Sequence, residues 1–119
     1  MAQEKPVTYR RTGTQGKLIL RGIVDIFEAE GLHKTALRAL HDGSATTLLA
    51  DLSATERLDI SALQILCALK LATEEVGKTM LLTGASAELE TFFAAAGITY
   101  IWQAAGKENL GRQNNPGEE

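Results

Sequence analysis

Thr46-Thr47-Leu48-Leu49-Ala50-Asp51-Leu52 is followed seven residues on by Asp59-Ile60-Ser61-Ala62-Leu63. The first segment reads as a β-strand. Its near-continuous apolar centre, Leu48-Leu49-Ala50, is the pattern of a strand covered on both faces. The second segment opens a helical pattern that runs from Ile60 to Val76 and stops at Gly77. Lys78-Thr79-Met80-Leu81-Leu82 then reads as a further strand, ended by Gly84. A strand, a helix and a strand in this order imply a crossover connection and parallel pairing.

The same alternation extends in both directions. Upstream, Val7–Arg11 and Lys17-Leu18-Ile19-Leu20-Arg21 read as two strands joined through a turn containing Gly13 and Gly16, with Gly22 as the stop. A helix is expected over Glu28–His41, with Leu32, Ala36, Leu37 and Leu40 on one face. Gly31 near its start weakens that boundary. Downstream, Ser86 caps a helix with Glu88 in its first turn and Gly97 just past its end. Leu89, Phe92, Phe93 and Ala96 form its apolar stripe. Ile98–Trp102 reads as a short last strand. The expected architecture is α/β: a mixed, mostly parallel sheet of four to five strands with helices packed on it. One domain is expected over residues 1–103, followed by a polar, mobile tail over 104–119.

Composition narrows the function classes. The chain has 119 residues, 45% of them hydrophobic, and a net charge of −3. That is enough apolar material for one core. No basic block marks a nucleic-acid footprint. Cys67 is the single cysteine, which fits a reducing, cytoplasmic setting without disulfides. No apolar run reaches the roughly 20 residues of a membrane span, and Met1–Lys5 lacks the apolar segment of a secretory signal.

Chemistry-bearing residues are few. His33 and His41 lie eight positions apart on one helix, about 12 Å at 1.5 Å per residue, too far to share a metal. His33, near the apolar face, reads as a packed or partly exposed side chain rather than a catalytic one. Thr12-Gly13-Thr14-Gln15-Gly16 is better read as a hairpin turn than as a phosphate loop. Asp25, Asp51 and Asp59 follow or end strands; carboxylates there can bind Mg²⁺, and they equally cap and terminate elements. No cofactor is expected. Ser61 is different in kind. Asp and Ser are ordinary residues for opening a helix, so Asp59 can be a cap and Ser61 a first-turn residue. The same position offers free backbone N–H groups and the positive dipole end to an anion, which suits a phosphoserine. On the helix that follows, Ala62, Leu63, Leu66, Leu69 and Val76 share the face expected to pack on the sheet. Ser61, Gln64, Ala68, Leu71 and Glu75 share the other. Leu71 and Ala68 there are either ordinary exposed apolar residues or a strip on which a partner docks.

Three stretches together resemble the STAS domain of bacterial anti-sigma factor antagonists. They are Lys17-Leu18-Ile19-Leu20-Arg21-Gly22-Ile23-Val24-Asp25-Ile26-Phe27, Leu49-Ala50-Asp51-Leu52-Ser53 and Leu58-Asp59-Ile60-Ser61-Ala62-Leu63-Gln64-Ile65-Leu66. Leu89–Gly97 extends the likeness, which covers about Val7–Tyr100. The resemblance implies a non-enzymatic partner-switching module. Ser61 would be the phosphoacceptor and Asp59 its acidic neighbour. Asp25, Gln64, Ala68 and Leu71 would contact the partner, a serine kinase that is also the anti-sigma factor, and a phosphatase would reset the switch. Ala62 stands where the family usually has glycine. Two rival expectations are a STAS subunit of a membrane lipid-transport or sensory complex and a nucleotide-binding sensor.

Overall fold

The computed structural model describes residues 5–98. Tyr9 and Leu18 sit opposite each other in a hairpin between β1 (Val7–Thr12) and β2 (Gln15–Val24), closed by Gly13-Thr14. Gly16 is needed there for space: a Cβ would lie 2.4 Å from the Tyr9 hydroxyl oxygen and 2.8 Å from a Leu48 methyl. Gly16→Ala is therefore expected to push the Tyr9 ring aside and cost about 1–3 kcal/mol, the usual penalty of overpacking. A urea unfolding midpoint unchanged from wild type would contradict this.

β2 does not stop at Gly22. Gly22 takes a left-handed φ of +68° and the strand continues to Val24. Asp25 caps a one-turn 3₁₀ helix, Ile26–Glu28, that leads into α1 (Ala29–Leu40). α1 buries Leu32, Ala36 and Ala39. Leu37, expected on that face, is exposed, and so is His33. The chain then forms β3 (Thr47–Leu58), α2 (Ile60–Glu75), β4 (Thr79–Thr83) and α3 (Ala87–Ala95). The sheet order is β1-β2-β3-β4, antiparallel for the first pair and parallel for the other two. The mixed α/β sheet read from the sequence is thus observed. Thr99–Trp102 of the expected last strand, and the tail, lie outside the described residues.

β3 runs six residues beyond the expected Leu52 because it is bulged. Ile19 pairs with Asp51 but Arg21 with Ala54, and Gly22 pairs with Thr55 but Ile23 with Arg57. Each shift places one extra residue on β3. Its buried positions are accordingly Leu48, Ala50, Leu52, Thr55 and Leu58, a spacing of two that lengthens to three. The Thr55 hydroxyl is buried and donates to the Leu20 carbonyl at 2.8 Å.

The expectation that β3 is covered on both faces is not met. Leu48, Ala50 and Leu52 are buried, but Leu49 and Asp51 are half-exposed. Right-handed crossovers that step in one direction along a sheet put their helices on one side. Buried residues of α1, α2 and α3 join inward strand residues in a single core cluster. α2 contributes Ala62, Leu63, Leu66 and Leu69 as expected. Val76 is an exposed C-cap residue rather than part of the packed face, since the helix ends at Glu75. Lys70 and Thr73 are buried in its place; Lys70 pairs with Glu74, and Thr73 bonds the Lys70 carbonyl at 2.7 Å. On α3, Ser86 accepts the Leu89 amide at 3.1 Å; Leu89 and Phe93 are buried, and Phe92 and Ala96 pack against the core.

Candidate functional site

Two turns meet at the edge of the sheet where the parallel strands end. The Asp59 amide donates to the Val24 carbonyl at 3.2 Å, tying the start of α2 to the end of β2. Asp59 has extended backbone geometry and is the N-cap of α2: its Oδ1 accepts the Ala62 amide at 3.1 Å. The same Oδ1 accepts the Ser61 hydroxyl at 2.6 Å. Across from it, Asp25 Oδ1 accepts the Phe27 amide at 3.0 Å and fixes the 3₁₀ turn. The Asp59 carboxyl is held below its ordinary acidity range. The Ser61 hydroxyl is the main cause and burial opposes it; the amides of Ala62, Ile26 and Ser61 add to the effect. The Ile26 amide in that set shows how closely the 3₁₀ turn approaches the Asp59 carboxylate.

Ser61 is half-buried and α2 carries exposed Gln64, Ala68 and Leu71 away from it. Asp25 is half-buried on the adjoining turn. Ala62 is fully buried, so the methyl group that glycine would lack points into the core and not toward the surface at Ser61. Sequence reading missed the apolar side chains that surround this edge. Phe27 is 88% exposed, Ile26 65% and Ile60 48%; Leu71, which the sequence had placed on the exposed face of α2, is 57% exposed. The signal was available in Ile26-Phe27, two large apolar residues directly after a helix-capping aspartate.

Among the described residues, no three His, Cys, Asp or Glu side chains gather as a metal site. Asp25 accepts a local amide, and Asp51 and Asp59 each accept a local amide and a local hydroxyl. Asp51 Oδ1 accepts the Ser53 amide at 3.0 Å and its hydroxyl at 2.7 Å. At the opposite edge, Asp42 accepts the Tyr9 hydroxyl at 2.8 Å and pairs with Arg11 at 3.1 Å, locking the end of α1 to β1. Burial, then the Asp42 contact, pushes the Tyr9 phenol up to about 12.

Asp42, Asp51 and Asp59 all have lowered pKa values, led respectively by the Tyr9 hydroxyl, the Ser53 amide and the Ser61 hydroxyl. A carboxyl that ionises more readily folded than unfolded adds stability above its unfolded value and loses it as pH falls through the folded one. Stability is therefore expected to be flat from neutral pH to about pH 5 and to fall below about pH 4. Asp42→Asn should make that acid limb shallower. Urea midpoints measured across pH test this, and a limb unchanged in Asp42→Asn contradicts it.

No helix among the described residues is long and apolar enough to cross a membrane. The model of the family described as "Mlab, STAS domain" matches residues 7–102. The chain belongs to the STAS domain family. Among curated proteins, none matches the chain. Solved structures share its fold. The Bacillus cell fate determinant SpoIIAA in its phosphorylated form aligns with a TM-score of 0.65 at 18% identity, covering 81% of this chain and 86% of that one. An anti-sigma factor antagonist from Mycobacterium paratuberculosis aligns with a TM-score of 0.61 at 22% identity, covering 81% and 80%. A sulfate transporter family protein from Wolinella succinogenes aligns with a TM-score of 0.65 at 17% identity, covering 80% and 74%.

Proposed function

We propose that this chain is an anti-sigma factor antagonist that switches partners through phosphorylation of Ser61, acting as a binding module rather than as an enzyme. One observation carries the reading. The Ser61 hydroxyl, held at 2.6 Å by Asp59, sits at an edge where Ile26, Phe27 and Ile60 are exposed. Large apolar side chains in solvent are the anchors from which protein interfaces are built. Asp25, Gln64, Ala68 and Leu71 extend that surface. The partner is a serine kinase that doubles as the anti-sigma factor. It transfers the γ-phosphoryl group of ATP to Ser61 Oγ. Asp59 orients the hydroxyl, but its lowered pKa makes it a poor proton acceptor. The base that takes the Ser61 proton is supplied by the kinase. A phosphatase restores the hydroxyl. Membership of the STAS family and the fold shared with SpoIIAA, a protein known in a phosphorylated form, support this.

The fold shared with a sulfate transporter family protein favours a second reading. There the same edge makes a lasting contact inside a transport complex and Ser61 is not modified. Phe27→Ser separates a working interface from an idle surface. The side chain is almost wholly in solvent, so stability should stay within about 0.5 kcal/mol of wild type. Affinity for a serine kinase that binds the wild-type chain should fall at least about tenfold. Equal affinities would remove Phe27 from the interface. The nucleotide-sensor alternative predicts micromolar ATP or GTP affinity in calorimetry; the partner-switching reading predicts at most weak binding and no hydrolysis.

A further inference from the structure

Among the described residues the helices all pack on one face of the sheet, and the other face is charged. Thr8, Arg10, Lys17, Ile19, Arg21, Leu49 and Asp51 alternate with the buried strand residues, and none of them is buried. In a chain of net charge −3, the β1–β2 end of this face collects cations. A shallow cleft of about 270 Å³ opens there, lined by Lys5, Thr8, Tyr9, Arg10, Ile19 and Arg21, with no acidic side chain among the described residues of its wall. Arg21 is positioned by its own strand pair: Nη1 donates to the Lys5 carbonyl and to the Thr8 hydroxyl, both at 3.1 Å. Arg10 and Lys5 make no side-chain hydrogen bond or ion pair with the described residues. Arg10 also faces Lys17 directly across the hairpin. Like charges opposite each other in an antiparallel pair are destabilising. The acid on this face, Asp51, feels Lys17 and Arg21 but already accepts both the amide and the hydroxyl of Ser53.

We propose that this cleft binds a phosphate group, either free as a small phosphate ester or carried on a lipid headgroup. A tetrahedral phosphate oxyanion can take donors from several directions, which the Arg10 guanidinium, the Lys5 ammonium and the Thr8 hydroxyl supply. It would also offset the repulsion that Arg10 meets from Lys17 across the hairpin. The Ile19 side chain floors the cleft and leaves room for the organic part of an ester. The site is independent of Ser61 and of the partner read there.

Calorimetric titration of the full chain with inorganic phosphate and glycerol 3-phosphate at low salt tests it. Co-sedimentation with phosphatidylglycerol vesicles, against phosphatidylcholine vesicles, tests the lipid source. Wild type should bind saturably, and Arg10→Glu should weaken binding at least about tenfold, as expected for losing a charge-assisted hydrogen bond. Lys34→Glu makes the same charge change on exposed α1 and should leave binding within about twofold, since distant exposed charges are screened. Melting temperatures of both variants establish that they fold. Binding of the soluble esters alone assigns a free phosphate, and preference for phosphatidylglycerol vesicles assigns a headgroup. No saturable binding in either arm overturns the proposal, as does equal weakening by Arg10→Glu and Lys34→Glu.

Discussion

Leu66→Ala is expected to lower the unfolding free energy by about 3–5 kcal/mol, the range found when a fully enclosed leucine is truncated. Leu66 is wholly buried on the face of α2 that meets the sheet. Five positions on, Leu71 is 57% exposed, and Leu71→Glu should change stability by no more than about 0.5 kcal/mol. The contrast matters more than either value, because both residues lie on one helix in the same apolar run. Against a total stability of about 5–15 kcal/mol for a domain, the first substitution removes a large share. Urea unfolding of the two variants decides the orientation of α2. If Leu71→Glu unfolds the domain, Leu71 belongs to the core and cannot contact a partner.

Ser61→Asp is expected to abolish partner binding while the fold persists. Phosphate adds about −1.5 to −2 charges at Ser61. The start of α2 offsets about 0.3–1 kcal/mol of that through its dipole. Asp59 opposes it: two unit charges about 5 Å apart repel by roughly 3 kcal/mol at an effective dielectric near 20, before salt screening. The Ser61 hydroxyl now donates to Asp59 Oδ1, a bond that a phosphate ester cannot make. The dianion therefore turns away from Asp59, outward to the surface of this apolar edge. In a packed interface a charge in that position must be desolvated, at a cost of several kcal/mol. Ser61→Ala loses the hydrogen bond to Asp59, about 1 kcal/mol, and should bind its partner constitutively. Binding of Ser61→Asp equal to wild type would mean that the apolar edge is not the interface.

Much of this was legible in the sequence because it rests on local chemistry. The Asp59 cap and Ser61 could be read from Asp59-Ile60-Ser61, since an N-cap aspartate and a first-turn serine have fixed spatial relations. The α3 stripe and its Ser86 cap were readable for the same reason. β3 was not, because its two bulges turn the burial spacing from two to three, and Ser53-Ala54-Thr55-Glu56-Arg57 has no strand periodicity to follow. The single covered face of the sheet was hidden too: Leu49 is as apolar as Leu48, and only the side on which the crossovers lie decides which of them is buried. Phe27 and Ile26 escaped because they belong to neither a strand nor a helix pattern. A residue in a capped turn can be fully exposed however apolar it is, and its environment is set by how β2 and α2 meet.

The most direct measurement of the central claim is the site and stoichiometry of phosphate on the full chain. The chain would be incubated with ATP and a serine kinase that binds it, and then mapped by tandem mass spectrometry alongside Ser61→Ala. Phosphorylation-controlled partner switching predicts one phosphate on Ser61 of the wild type, none on Ser61→Ala, and release of the modified protein from the kinase. Phosphate on Ser53 or Thr55 in both proteins, or a modified chain that stays bound, would contradict it.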